Sequence, residues 1–200
     1  MDAHTETVML DLGPATRRVA KLLDGVADDR LDAPTPCPEY AVRELLAHLV
    51  GLAVAFRDAG RKDFGPTTDT DPQAGLPVLG DDWRTALPRR LDELADAWRA
   101  QGAWEGTTRA GGVTLPGEVA GMVALNEVLI HGWDLARATG QEYAPDQASL
   151  EASYALLAPT ADDPDQRGPF GPPVPVPDDA PLLDRVIGLS GRCPDWRPGR

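Results

Sequence analysis

Apolar residues recur along the chain with the three-to-four-residue period of amphipathic helices, interrupted by stretches rich in proline and glycine. A first helix is predicted through Leu10, Leu12, Val19, Leu22, Leu23 and Val26, with Pro14 tolerable only near its first turn. The stretch from Leu31 to Pro38 is too proline-rich for a helix or a central strand. A second helix is predicted from Ala41 to Phe56, with Val42, Leu45, Leu46, Leu49 and Leu52 on one broad face. Glu44 stands where a capping box wants its carboxylate, but Ala41 holds the Ser/Thr position, so the box is half made.

From Gly60 to Gly80 the chain reads as a loop of Gly, Pro, Thr and Asp. A third helix carries Trp83, Leu87, Leu91, Leu94 and Trp98 on one stripe, and Pro88 is expected to kink it or to set its true start. Trp104 to Leu115, with Gly111-Gly112 in the middle, could form a short hairpin. A fourth helix is predicted from about Gly117 to Ala138, closed by Gly140, and a further one from Asp146 to Leu157. Beyond Pro159 lie a Pro/Asp/Gly stretch, a short apolar piece from Leu182 to Leu189, and a tail. The pattern predicts an all-α fold: a bundle of antiparallel helices over residues 1–160, with a Pro/Asp-rich extension over 161–200 packed on it.

Composition narrows the function. The 200 residues suit one domain, and 32 acidic against 19 basic residues leave a net charge of −13. That field repels phosphate backbones and anionic membrane surfaces, so neither nucleic acid nor membrane is an expected partner. No stretch reaches the roughly 20 apolar residues of a membrane span. The opening residues, Met1 to Glu6, lack the basic and apolar regions of a signal peptide. Two cysteines, Cys37 and Cys193, make no disulfide framework, and reduced thiols in a cytoplasmic protein are expected. Gly-x-Ser-x-Gly, phosphate-cradling Gly-rich and Cys-x-x-Cys motifs are all absent from the sequence.

The three histidines focus the search for chemistry. His4 lies in the terminal segment and is set aside. His48 sits among Leu45, Leu49 and Leu52, so it points inward or to a seam; alone, it reads as a core histidine with one hydrogen bond. Glu127 and His131 are four apart on the fourth helix, hence on one face, with Asp134 continuing the stripe and Arg137 following. A buried Glu–His pair bridged to an arginine explains that helix as well as a metal does. With His48 from a second helix, a two-histidine, one-carboxylate metal site becomes the economical reading: zinc, with iron or nickel as alternatives. Asp134 is expected to orient His131, or to pair with Arg137 or Arg43. Cys37 could lie near the metal, but packing as a small buried hydrophobe is its expected role, and the tryptophans read as core.

Two blocks carry a resemblance. The run from Ala33 to Leu49, APTPCPEYAVRELLAHL, and the run from Glu127 to Gly140, EVLIHGWDLARATG, resemble the two signatures of the DinB/YfiT-like four-helix bundle superfamily. The branch is that of mycothiol-dependent maleylpyruvate isomerase, and the similarity extends over nearly the whole chain, Gly171 to Pro177 included. Within that branch the chain resembles the single-domain actinobacterial metal-binding proteins of unassigned function. The resemblance implies metal ligands at His48, Glu127 and His131, and mycothiol as thiol cosubstrate. A metal-bound thiolate would then attack an electrophilic small molecule, in an S-transferase or isomerase-like enzyme with Asp134 as the catalytic-site residue orienting His131. Metal-bound water would give a hydrolase instead, and a non-catalytic bundle is the third alternative. Tyr40 stands where the family has Trp, and Ala41 where it has a capping Thr or Ser. The isomerase is expected to carry a further C-terminal domain where this chain has a short tail, which argues against that specific isomerisation. A monomer or a homodimer is expected.

Overall fold

Pro14 falls in the first turn of the first helix, where its missing N–H costs nothing: α1 runs Gly13–Leu22. Residues 23–25 continue it as a 3-10 turn instead of α-helix. The computed structural model describes residues 9–71, 75, 78–161, 163 and 171–199; the His4 of the sequence reading lies outside them. Helix α2 spans Val42–Arg61, one turn longer than the period suggested, and Lys62 ends it in the left-handed conformation at φ 57°. The 60–80 stretch is not all loop, since α3 occupies Pro66–Asp69. Helix α4, Trp83–Trp98, contains Pro88 instead of starting at it. Trp83 and Leu87 before the proline and Leu91, Leu94 and Trp98 after it are all buried. That continuous buried stripe outweighs the roughly 3 kcal/mol a mid-helix proline costs.

A short turn, α5 (Gln101–Trp104), leads into the hairpin β1 (Thr107–Ala110) and β2 (Val113–Pro116). The strands pair antiparallel, with Thr108 opposite Leu115 and Ala110 opposite Val113. Gly111 and Gly112 both have positive φ, 59° and 77°, as a tight two-residue hairpin turn requires. Helix α6 runs Gly117–Thr139 and closes on Gly140 at φ 70°. Asp146 caps α7 (Gln147–Leu157) by accepting the Ser149 N–H at 3.0 Å. Helix α8 is the apolar piece Leu182–Leu189.

The bundle consists of α1, α2, α4 and α6, but its helices are not simply alternating. The Trp98 Nε1–H bonds the Phe56 carbonyl at 2.9 Å, so the C-terminal ends of α2 and α4 lie together and these helices are parallel. Gln141, just beyond α6, donates to the Leu22 carbonyl at 2.9 Å, making α1 and α6 parallel too. Arg84 at the start of α4 donates to the Leu23 carbonyl at the end of α1, so the two pairs oppose each other. The long connection from 62 to 82 is the crossover that parallel neighbours need.

Two apolar clusters share α6. Leu125 and Val128 face the bundle core with Leu45, Leu49, Leu87 and Leu91. Leu129, Ile130 and Trp133 face a second cluster with Leu150, Leu157, Val186 and Ile187 from α7 and α8. The described part of the C-terminal extension therefore packs against α6. Among the described residues, no helix is long and apolar enough to cross a membrane.

Candidate metal centre

Because α6 is covered on both sides, each polar group on it needs a partner. Glu127 and His131 stack one turn apart, and the opposed α2 presents His48 to them. His48 Nε2 and His131 Nε2 each lie 3.3 Å from the same atom, Glu127 Oε2. The rings of His48 and His131 meet edge to face with centroids 4.7 Å apart. One donor atom from each residue falls within 4.8 Å of the other two. Glu127 and His131 are buried, and the His48 side chain keeps 14% exposure.

The far nitrogen of His131 is also engaged: Nδ1 lies 3.0 Å from Asp134 Oδ2. Asp134 is fully buried and is held from its other side by Arg192, with Nε 3.3 Å from Oδ1 and Nη2 3.1 Å from Oδ2. The alternative pairing of Asp134 with Arg137 or Arg43 is not what forms. Arg137 donates to the Pro194 carbonyl and lies over the Trp133 ring, while Arg43 meets Asp32 near the surface.

These contacts set the charges. Burial opposes ionisation of His131, but its hydrogen bonds to Asp134 and Glu127 outweigh burial and raise its pKa to about 9. Burial likewise opposes charge on Glu127, yet His131 and His48 hold its carboxyl far below the usual range. With Nδ1–H donating to Asp134, a neutral His131 ring would aim its Nε2 lone pair at an ionised oxygen 3.3 Å away. Two acceptors at that distance repel unless a proton or a cation lies between them. A tetrahedral ion bound at about 2.0–2.1 Å spaces its donors about 3.3 Å apart, so both donor chemistry and spacing fit a divalent metal.

The loop before α2 closes one side. Thr35 Oγ1 donates to the Tyr40 carbonyl at 2.7 Å and accepts the Cys37 N–H at 3.2 Å, folding the proline-rich run back on itself. The Tyr40 ring then sits 5.2 Å from His48 and 6.3 Å from His131, centroid to centroid. Cys37 is buried in this loop and its thiol pKa is pushed up by burial, with Arg192 opposing. It is not one of the three converging residues. Sequence reasoning passed over Arg192 altogether, and treated Tyr40 only as a departure from a family pattern. Arg192 belongs to no periodic pattern; its one signal is its place in Ser190-Gly191-Arg192, directly after an apolar helix.

Residues 12–136, which include all three converging side chains, match the model of the mycothiol maleylpyruvate isomerase N-terminal domain. The chain belongs to this family. Two relatives from strains of Mycobacterium tuberculosis, Uncharacterized protein Rv0738 and Uncharacterized protein MT0763, are each 31% identical over 177 residues, 86% of this chain and 91% of theirs. Mycothiol-dependent maleylpyruvate isomerase itself shares the fold. Its histidine-to-alanine variant superposes with a TM-score of 0.63 at 18% identity, over 91% of this chain and 88% of that one. The unmutated isomerase gives 0.59 at 19% identity, over 92% and 89%. Beyond the segment matched by the family model, the described residues form α7 and α8.

Proposed function

We propose that this member of the family is a metal-dependent enzyme using mycothiol as nucleophile toward an electrophilic small molecule, as an S-transferase or a thiol-assisted isomerase. The observation that carries the reading is the convergence of His48 Nε2, His131 Nε2 and Glu127 Oε2, with the opposite nitrogen of His131 already held by Asp134. When bound, a divalent ion (zinc first, nickel or iron as alternatives) supplies the Lewis acidity that turns a thiol into a thiolate at neutral pH.

The chain's own residues do the rest. Asp134 keeps the proton on His131 Nδ1, so that the Nε2 lone pair faces the site. Tyr40 covers both imidazoles on one side, and the partly exposed edge of His48 leaves the approach for a thiol. In transfer, the thiolate forms a carbon–sulfur bond as the leaving group departs with its electron pair. In isomerisation, it adds to a conjugated double bond and is expelled after rotation. A cytoplasmic location belongs to the same reading, since the thiol must stay reduced.

The competing reading is a non-catalytic bundle in which an imidazolium at His131 bridges Glu127 and Asp134; the raised pKa of His131 favours it. Elemental analysis of untagged protein purified without chelator separates the two. About one equivalent of metal, lost in His131→Ala while the far-ultraviolet dichroism is kept, is the expected result. Metal-free protein that takes up neither zinc nor nickel would leave only the buried-pair reading. If the metal is present, turnover that depends on added mycothiol supports the thiol enzyme, and thiol-independent turnover of esters or amides makes it a hydrolase.

A further inference from the structure

The contact least expected from the sequence lies on the far side of His131. Helix α8 ends in a tight turn: the Gly191 N–H bonds the Gly188 carbonyl at 3.0 Å, and the Arg192 N–H bonds the Ile187 carbonyl at 3.2 Å. Gly191 has φ 80°, and a Cβ there would meet the Gly171 backbone at 3.1 Å, so both conformation and space call for glycine. The turn drives Arg192 inward until the residue is 8% exposed. Its guanidinium grips the two oxygens of Asp134 side-on, and Nη1 bonds the Ser190 carbonyl at 2.9 Å.

We propose that Arg192 is a positioning residue for the metal centre, acting on His131 only through Asp134. The proposal rests on the metal reading above. Asp134 Oδ2 is shared between His131 Nδ1 and Arg192 Nη2, so the angle at which it meets the imidazole depends on what holds the rest of the carboxylate. The planar fork fixes both oxygens; a lysine ammonium is a point charge and fixes one. Asp134 has no exposure, and removing Arg192 would take away the guanidinium that holds both of its oxygens. The carboxylate would then be free to turn relative to the imidazole, and that turn misaims His131 Nε2. The C-terminal segment is thereby part of the metal site although it supplies no ligand.

A double-mutant cycle read out by zinc affinity, using chelator competition on the full chain, tests this. The variants are Asp134→Asn, Arg192→Met and the two combined. Each single change is expected to weaken zinc binding about 10–100-fold, as loss of a hydrogen-bond partner to a ligating histidine does. The combined variant is expected to bind no more weakly than Asp134→Asn alone. Where Arg192→Met fails to fold, Arg192→Lys carries the same cycle with a smaller loss. Unchanged zinc affinity in the arginine variant overturns the proposal. So does an arginine effect that persists in full without the Asp134 charge, because Arg192 would then act by another route. Wild-type protein that binds no zinc instead brings down the metal reading on which the proposal stands.

Discussion

At the scale of single residues, His131 decides how the centre responds to pH. Its folded pKa of about 9 stands above the ordinary 6.5 because its bonds to Asp134 and Glu127 outweigh the cost of burial. A raised pKa means the folded state holds the proton more tightly than the unfolded chain. The stabilisation, on the order of a few kcal/mol, is therefore complete below about pH 6.5 and disappears as pH rises toward 9. Glu127 works in the opposite sense: its pKa is depressed from 4.5, so its share is present above that value and lost on acidification. Metal-free protein should thus be most stable between roughly pH 4.5 and 6.5 and lose stability steadily from 6.5 to 9, as read from urea midpoints. Zinc-saturated protein should show the reverse slope, because the ion competes with the proton for His131 Nε2 and binds more tightly as pH rises. A flat profile for the metal-free protein over that window would mean that His131 is not charged in the fold.

At the scale of elements, α6 carries the argument, and it was also the element most legible in the sequence. Gly117 and Gly140 bracket it, and Glu127, His131 and Asp134 fall on one stripe whether or not its partners are known. What periodicity could not show is that α2 and α4 run parallel, since an apolar stripe has no direction. Nor could it show the extra turn of α2, whose end at Lys62 has no glycine to announce it. The approach of α6 to the Trp98–Trp104 pair depends on Gly121, where an added Cβ would lie 2.6 and 2.7 Å from Trp104 ring atoms and 2.8 Å from Trp98. Those indoles pack edge to face at 5.2 Å, and each N–H is bonded, to the Phe56 and Trp98 carbonyls, so neither ring can yield cheaply. Gly121→Ala gains up to about 1 kcal/mol in helix propensity but overpacks the contact by about 1–3 kcal/mol. Net destabilisation in equilibrium unfolding is expected; a stabilised variant would contradict the close packing of α6 on the two tryptophans.

At the scale of the whole molecule, the described end of the C-terminal segment packs on α6, the helix that carries Glu127 and His131. The sequence reading placed the Pro/Asp-rich extension on the bundle without naming the residues that anchor it. Only Leu182 to Leu189 is apolar enough to be noticed, yet its Val186 and Ile187 are fully buried against the α6 face that bears Leu129, Ile130 and Trp133. From that anchor the chain turns through Gly191, presents Arg192 to Asp134, and so reaches His131 from behind. Coupling of this kind travels through rigid packed contacts, and it predicts that a change remote from the metal alters its binding. Ile187→Ala should cost about 2–5 kcal/mol by opening a cavity in the second cluster. Hydrogen exchange should speed up in 182–199 well before α2 and α4, whose packing rests on the first cluster. Zinc affinity should fall in the same variant, because Arg192 is carried on the loosened segment. An equally large cavity made on the bundle side, Leu91→Ala, is the control, since Leu91 is fully buried in the first cluster and lies on α4, which supplies no ligand. If Leu91→Ala lowers zinc affinity as much as Ile187→Ala does, the loss reflects general loosening, and the C-terminal segment has no special hold on the metal centre.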